Sequence, residues 1–391
     1  MFGILAILLI GFIIVIHEFG HFIFAKLFKV GVVEYSIGMG PAIFHKRLGE
    51  TVYSLRIVPM GGYCAMYGEQ SAEAKDKGEE DKDKDEKPKK KKKDRFFFVK
   101  EPDFKKDWTP DRSYKAVSKL KQIIILAAGP GFNILLSIIA AIIFVPIFGG
   151  PGEATIKEFI FENSPAEEAG LEIGDVIVAV EGTEIVTSND YTFYMKEHPE
   201  LVDSGYNLTV RKSDNTIQSY FVVPTPYYDK DYDIERKLVG IYISSDYVEQ
   251  PLRNYPKCAV EIVDYWTRTT FDGLEMLVTG QVNILDMTGI VGTTSVVGEA
   301  LEESAEESTN TLLRTMFILT IFVSINLGIF NLIPFPALDG GRIVMALIEL
   351  ITKKTFPERL EMAINTVGFG SLILLMIAIT VKDVLVLIGF F

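Results

Sequence analysis

Four long stretches of this chain contain no charged residue, and they constrain its fold more than any other feature. They lie at residues 1–16, 122–152, 315–338 and 362–381. A helix needs about 20 apolar residues, at about 1.5 Å per residue, to cross about 30 Å of hydrocarbon. The last three stretches reach that length, and the first does so if its helix continues to Ala25. The sequence therefore predicts a multi-pass α-helical membrane protein with four spans.

The first apolar stretch has an alternative interpretation as a cleaved signal peptide. It has no basic residues before the apolar run, and no small-residue cleavage site follows it. The apolar run leads instead into His17-Glu18-Phe19-Gly20-His21. We therefore expect this segment to remain as a membrane helix. The predicted spans are residues 1–25, 122–150, 315–340 and 362–391.

The charges of the two long connections predict the orientation. Residues 26–122 hold 23 Lys and Arg against 16 Asp and Glu, whereas residues 151–314 hold 11 against 30. Basic residues near membrane ends stay in the cytoplasm. We therefore expect the first connection inside, and the second connection and both termini outside, a bacterial inner or plasma membrane. The acidic outer region argues against nucleic-acid binding, because phosphate contacts need a basic surface.

The connections differ in composition. Residues 26–69 contain strand-like runs, at 33–37 and 51–58, that are punctuated by glycines. Residues 70–94 are nearly all Lys, Asp and Glu, which favours a solvated insert over a lipid-headgroup tether or a partner site. The predicted organisation is a membrane-associated β region at 26–69, a charged cytoplasmic insert and return to the membrane at 70–121, a small mixed α/β domain at 151–225, an extracytoplasmic region with an amphipathic segment at 226–314, and a cytoplasmic connection at 341–361.

The chain has two cysteines, Cys64 and Cys258. The expected topology puts them on opposite sides of the membrane, so we expect no disulfide bond between them.

His17, Glu18 and His21 carry the strongest chemical signal. Residues i and i+4 of a helix share one face, so both imidazoles can bind one zinc ion, with Glu18 beside them as a general base. Zinc lowers the pKa of a bound water to about 7. The alternative is a set of structural hydrogen bonds at the membrane interface. Ionisable groups in a membrane span are costly and usually functional, which favours the metal site.

A catalytic zinc needs a third protein ligand and an open position. His45 lies among basic residues of a loop, and His198 is expected on the other side of the membrane. Asp339 is the better candidate, because Pro334 and Pro336 break the third span just before it, and irregular backbone at membrane depth must line a cavity or be buried in protein. The alternative role of Asp339 is a helix N-cap.

Asn133 is the remaining polar candidate. Gly129-Pro130-Gly131-Phe132-Asn133 predicts a helix break in the second span. At about 1.5 Å per residue, Asn133 reaches the same depth as His17 from the cytoplasmic side. It could donate a hydrogen bond to a developing oxyanion or to the substrate backbone, or it could serve helix–helix packing.

These motifs together resemble the site-2 protease family of intramembrane metalloproteases. The matching elements are the HExxH at His17–His21, the glycine-proline-x-x-asparagine at Gly129–Asn133 and the proline-broken LDG element at Asn331–Gly340. Residues 164–175 are similar to the start of the PDZ domain of the RseP/RasP subgroup, and residues 286–292 to its glycine-rich segment. The chain has room for one PDZ domain rather than two, and the insert at 70–94 is no part of the family pattern.

The resemblance implies an enzyme that hydrolyses a peptide bond within the bilayer. Its implied substrates are single-pass membrane proteins, such as anti-sigma factors or remnant signal peptides, after a prior cut outside. His17, His21 and Asp339 are the implied zinc ligands, Glu18 the general base and Asn133 a substrate-positioning residue. Strands in 32–65 would bind the unwound substrate by β-augmentation. A PDZ-like extracytoplasmic domain at 151–225 implies a peptide ligand.

Two other classes of function compete with the protease. A membrane scaffold whose outer domain captures peptides would have no use for a complete metal site. A metal-ion transporter would need ionisable groups along a path through the bilayer, and the second and fourth spans have almost none.

Overall fold

The computed structural model describes residues 2–69, 108–229, 234–244, 246–280 and 290–387. The chain divides into two compact units. The first consists of Met1–Ala140 and Trp266–Phe391, and the second is Ala141–Tyr265.

The helices are numbered in chain order. They are α1 (Phe2–Leu27), α2 (Lys119–Phe148), α3 (Pro165–Glu168), α4 (Ser188–Glu197), α5 (Leu201–Ser204), α6 (Tyr255–Val278), α7 (Ile290–Glu307), α8 (Thr309–Leu332), α9 (Asp339–Thr352) and α10 (Glu358–Leu387), with short 3-10 turns at Pro110–Arg112, Tyr114–Ala116 and Leu252–Asn254.

The strands follow the same order. They are β1 (Val32–Leu48), β2 (Thr51–Met66), β3 (Gly150–Pro151), β4 (Ile156–Phe159), β5 (Val176–Val180), β6 (Thr183–Glu184), β7 (Tyr206–Arg211), β8 (Ile217–Val222), β9 (Thr225–Asp229), β10 (Ile234–Leu238), β11 (Ile241–Ile243) and β12 (Tyr247–Val248).

Four helices in the described part of the chain are long and apolar enough to cross a membrane. They are α1, α2, α8 and the Arg359–Asp383 part of α10. Each of them coincides with one of the uncharged stretches, which agrees with the prediction of a four-span membrane protein.

The second span differs from its prediction, because α2 runs without a break through Gly129–Asn133. Gly129 of this motif lies in close contact with α1. A Cβ added at Gly20 of α1 would lie 2.3 Å from the Ala128 carbonyl oxygen of α2. The two helices therefore touch backbone to backbone, and Pro130 costs the helix one hydrogen bond without ending it.

The third predicted span, 315–340, is also divided differently. Helix α8 ends at Leu332, and α9 begins at Asp339 and runs through most of the predicted connection 341–361. Pro334 and Pro336 explain the end of α8, since proline disfavours a helical conformation in the residue before it.

The β region is a folded antiparallel hairpin of two long strands, β1 and β2, in which residues 34–37 of β1 pair with residues 52–55 of β2 on one side and with residues 62–65 of β2 on the other. It is longer than the two short runs that the sequence predicted, and His45 lies in β1 rather than in a loop. The register shifts repeatedly between Val32 and Phe44. Gly38 has a φ of +84°, and a Cβ there would meet the Val58 carbonyl oxygen at 2.5 Å, so this irregular stretch requires glycine.

A buried ion pair lies inside this hairpin. Arg56 donates to Glu34 Oε1 at 2.6 Å, to Ser36 Oγ at 3.1 Å and to the Gly40 carbonyl oxygen at 2.6 Å. Tyr63 donates to the other Glu34 oxygen at 2.5 Å. We call Glu34, Ser36, Arg56 and Tyr63 the hairpin cluster. Its donors hold the two strands together where their ladder is irregular.

The second unit contains a four-stranded sheet with the order β6-β5-β7-β8 and three two-stranded pairs, β4–β11, β9–β10 and β3–β12. Ser164 caps α3 by accepting from Glu167 N, and Gly170 has a φ of +97° just after this helix. The unit begins before and ends well after the predicted 151–225 domain, because Tyr- and Asp-rich residues near 226–248 form β9 to β12. Its buried core consists of Ala154, Ile156, Ala166, Leu171, Ile177, Val180, Ile185, Tyr206, Leu208, Val210, Val222 and Val239.

Some predicted features lie outside the described residues. These are most of the insert, at 70–107, and residues 281–289 of the amphipathic and glycine-rich segment. The rest of the amphipathic segment falls in α6 and α7.

Candidate metal centre

Three side chains from α1 and α9 converge in the first unit. His17 Nε2 lies 3.1 Å from Asp339 Oδ2 and 3.2 Å from His21 Nε2, and His21 Nε2 lies 3.3 Å from the same carboxylate oxygen. Both histidines are buried. Among the described residues, these three form the group that could hold a metal ion. The helical i, i+4 spacing of the histidines is what places both imidazoles on one side of α1.

The triangle of donor atoms fits zinc. Ligands about 2.0–2.1 Å from a tetrahedral zinc are separated from one another by about 3.3–3.4 Å. The three observed separations are 3.1, 3.2 and 3.3 Å. Two imidazole nitrogens and a carboxylate oxygen are also ligands that zinc prefers. Both the donor set and its spacing therefore suit a zinc ion with an open fourth position.

Gly129 of α2 makes room for this group. A Cβ added there would lie 2.3 Å from His21 Nε2 and 2.9 Å from His17 Nε2. Any larger residue would occupy the space into which both ligand atoms point. Gly129, which belongs to the predicted helix break, thus borders the metal centre.

The loop between α8 and α9 sets the position of Asp339. Ala337 has a φ of +76°, which is rare for a residue other than glycine. Gly340 and Gly341 approach the backbone of Leu332–Phe335 so closely that a Cβ on either would lie within 2.3 Å of a carbonyl oxygen. Leu338, not Asp339, is the N-cap of α9, and the carboxylate of Asp339 faces the histidines. The N-cap alternative for Asp339 is therefore wrong.

Glu18 lies on α1 next to the first ligand and is partly buried. Its Cγ would be 3.5 Å from a Cβ added at Gly62 of β2, so it packs against the hairpin. It is close enough to His17, His21 and Asp339 to interact with them electrostatically. It is no member of the ligand group, which leaves its carboxylate for another role.

The outer nitrogens of both histidines also have partners. His21 Nδ1 lies 2.8 Å from the Ile125 carbonyl oxygen, and Asn133 Nδ2 lies 3.3 Å from His17 Nδ1. The structure thus brings all five residues of the predicted site to one place. His45 and His198 are not in the ligand group.

Sequence reasoning missed one pair near the site. Arg342, one turn after Asp339 in α9, pairs with Glu69 in the turn that follows β2, at a distance of 2.6 Å. The signal available was a basic residue in a polar run, Asp339-Gly340-Gly341-Arg342, directly after a membrane span.

Comparison with known proteins identifies the family. The pattern of peptidase family M50 matches residues 5–375. The chain belongs to this family. A Clostridium perfringens protein with the provisional name zinc metalloprotease is 33% identical over 392 residues, covering 98% of this chain and 99% of the relative. The zinc metalloprotease RasP of Geobacillus kaustophilus is 28% identical over 430 residues, covering 97% of this chain and 96% of the relative. RasP of Oceanobacillus iheyensis is 28% identical over 434 residues and covers 97% of each.

Membership of peptidase family M50 confirms the resemblance to site-2 proteases. This M50 protein is a zinc metalloprotease, as the names of its relatives and its family indicate. Family membership, together with the four apolar helices among the described residues, indicates a multi-pass membrane protein and an intramembrane zinc protease.

Proposed function

We propose that this protease cuts single-pass membrane proteins within their transmembrane segment, with His17, His21 and Asp339 as zinc ligands and Glu18 as general base. The observation that carries the proposal is the convergence of two imidazole nitrogens and a carboxylate oxygen within 3.3 Å of one another beside a glutamate outside the ligand group. Bound zinc would supply Lewis-acid activation of water and of the substrate carbonyl.

Glu18 would take a proton from the attacking water and pass it to the leaving amine nitrogen. A carboxylate suits this work because it can accept and return a proton at one position. Burial of the two histidines between α1 and α2 would hold the ligands in fixed geometry and limit the access of bulk water.

The hairpin supports a substrate class. A peptide bond in a helix is shielded by its own backbone hydrogen bonds, so the substrate must unwind before it is cut. In the described part of the chain, residues 62–66 of β2 are paired on one side only, so their other edge can pair with an extended peptide. Gly62 of β2 lies beside Glu18, so a strand added along β2 would pass the general base.

The apolar surface of the hairpin supports its association with the membrane. Ile43, Phe44 and Leu48 of β1, with Leu55 and Ile57 of β2, are all exposed. An apolar patch of this kind is typical of a surface that lies against lipid or protein. We propose that these side chains dip into the bilayer on the cytoplasmic side.

The second unit would lie outside the cell and act as a PDZ-like peptide-binding domain. The acidic balance of residues 151–314 supports this sidedness. A domain at this position would admit substrates already shortened by an outer cut, such as anti-sigma factors or remnant signal peptides.

The test uses a reporter with one apolar span and a short outer tail, co-expressed with wild-type protein or with Glu18→Gln. We expect Glu18→Gln to abolish cleavage while the purified variant keeps one zinc per chain by elemental analysis. Glu306→Gln, an exposed glutamate of α7, is the matched control and should cleave normally. Cleavage by Glu18→Gln at the wild-type rate, or full zinc content in His21→Ala, would refute the assignment.

A reporter with a large folded outer domain tests the substrate class. We expect it to resist cleavage until that domain is removed by a protease added outside. Equal cleavage of the long and the short reporter would contradict the requirement for a prior cut.

A further inference from the structure

Asn133 is fully buried, and its two amide atoms have different surroundings. Its Nδ2 lies 3.3 Å from His17 Nδ1. Its Oδ1 has no hydrogen-bond partner among the described residues. A buried carbonyl oxygen without a partner is costly, so this amide is poised for a different arrangement of its hydrogen bonds.

The ligand role of His17 decides what its Nδ1 needs. His17 Nε2 is the atom that faces Asp339 and His21, so it is the atom that can bind zinc. A neutral imidazole carries one proton, and a nitrogen bound to a metal cannot hold it. In the zinc-loaded protein the proton must therefore be on Nδ1, which then requires an acceptor. An amide NH₂ is a donor, whereas the amide oxygen is an acceptor.

We propose that Asn133 Oδ1 accepts the hydrogen bond from His17 Nδ1 when zinc is bound, with the amide turned by half a rotation. Asn133 is then a positioning residue that fixes the tautomer and ring orientation of His17, rather than a donor to substrate. This inference rests on the zinc ligands of the proposed function. It also gives the orphaned oxygen a partner.

His21 already has the arrangement that we propose for His17. Its Nδ1 lies 2.8 Å from the Ile125 carbonyl oxygen, which can only accept, so His21 Nδ1 carries its proton and Nε2 is free for a metal. Ile125 and Asn133 both lie on α2. One helix would thus hold the outer nitrogens of both ligands, through a main-chain oxygen in one case and a side-chain oxygen in the other.

The surroundings of Asn133 keep its amide beside His17. The Asn133 carbonyl oxygen accepts from Ser324 Oγ of α8 at 2.9 Å. A Cβ added at Gly328, one turn further along α8, would lie 3.6 Å from Asn133 Cβ. Helix α8 therefore packs directly against the base of this side chain, while the His17 imidazole contacts its amide end.

The experiment compares zinc affinity in Asn133→Asp, which keeps an acceptor and loses the donor, with Asn133→Leu, which loses both. Ser137→Ala, one turn along α2, is the packing control. Competition with a chromogenic chelator measures the dissociation constant. We expect Asn133→Asp to bind zinc at least as tightly as wild type, and Asn133→Leu to bind about 10- to 100-fold more weakly. If Asn133 only donates to substrate, both variants will keep wild-type zinc affinity and lose cleavage, which would overturn the inference.

A spectroscopic measurement on the zinc-loaded wild-type protein tests the inference without depending on whether a variant of Asn133 folds. The chain has four histidines, so ¹⁵N-histidine labelling gives few signals, and His45→Gln and His198→Gln assign two of them. In zinc-loaded wild type we expect a one-bond N–H coupling at His17 Nδ1. An unprotonated His17 Nδ1 in the zinc-loaded protein would overturn the inference. If His21→Ala leaves the zinc content unchanged, the proposed function itself fails, which is a different result from a failure of Asn133→Leu to weaken binding.

Discussion

Two buried polar groups in the first unit contrast in how their hydrogen bonds are satisfied. In the hairpin cluster, the donors of Arg56 and Tyr63 meet the acceptors of Glu34, Ser36 and Gly40. In the metal centre, His21 Nε2 and Asp339 Oδ2 lie 3.3 Å apart, and with His21 neutral both of them are acceptors. In the hairpin cluster the donors meet acceptors of the protein itself. In the metal centre a cation or a proton must lie between the two acceptor atoms.

This difference separates a structural polar group from a functional one. Burial and charge are common to both clusters, so neither property identifies the active site. The balance of donors and acceptors does, because a protein gains nothing in stability from converging lone pairs.

The largest effect is expected from Asp339→Leu. Structural zinc with four protein ligands has a binding free energy of about 10–16 kcal/mol, or roughly 3–4 kcal/mol per ligand. Loss of the Asp339 ligand should therefore lower the zinc affinity about 100- to 1,000-fold. Removal of one converging acceptor should not lower the thermal stability of the zinc-free protein. Chelator competition and differential scanning fluorimetry measure the two effects. Lower stability of the zinc-free variant would show that the centre is also structural.

Arg56→Leu should do the opposite. This substitution removes the guanidinium that faces the buried Glu34 carboxylate, which costs about 3 kcal/mol. Hydrogen exchange of the β1 and β2 amides should accelerate, while zinc affinity stays within about 2-fold because the cluster contains no ligand. The double variant Glu34→Leu with Arg56→Leu is the control, and it should recover most of the loss. Equal zinc loss in Arg56→Leu and Asp339→Leu would remove the distinction between the clusters.

Arg342→Gln should have an intermediate effect on metal binding. The pair of Arg342 with Glu69 joins α9 to the turn after β2, and the pair of Lys119 with Glu349, at 2.5 Å, joins α9 to the start of α2. A partly exposed pair contributes about 1 kcal/mol, so zinc affinity should fall about 5-fold. Arg342→Lys keeps the charge and should lose less. Unchanged affinity in Arg342→Gln would show that the loop before Asp339 positions this ligand by itself.

Acidification should give the smallest effect. Burial alone would raise the pKa of Glu34, but hydrogen bonds from Tyr63 and Arg56 outweigh it and hold this pKa below its ordinary value. The stabilisation is therefore complete above the unfolded-state pKa of about 4.3 and is lost as the pH falls through the lower folded-state value. Hairpin amide protection, corrected for intrinsic exchange rates, should stay constant from neutral pH to about 5 and decrease below about 4. In Glu34→Gln that decrease should be absent.

Much of the centre could be predicted from sequence because each of its ligands lies in a recognisable local pattern, although His17 and Asp339 are far apart in the chain. The i, i+4 spacing of His17 and His21 predicts that both imidazoles share one helix face. The prolines that end α8 indicate that Asp339 lies beside a cavity. The continuity of α2 could not be predicted, because only the approach of α1 shows that Gly129 serves packing. The length of the hairpin was missed for a related reason. Its glycines are typical of strand ends, while in the structure they are irregularities within paired strands. The ion pair of Arg342 could not be predicted, because no local sequence pattern shows that Glu69 lies beside α9.

The ends of the charged segment at 70–107 are fastened to each other. Tyr67 stacks on Trp108 with ring centroids 5.5 Å apart, and Tyr114 N donates to the Tyr67 carbonyl oxygen at 2.7 Å. Gly31 N donates to the Arg112 carbonyl oxygen at 2.8 Å. The entropic cost of joining two fixed ends rises only slowly with the number of residues between them. This position therefore suits the insertion of a fluorescent reporter or an affinity tag. The metal centre and the helices around it would keep their own contacts.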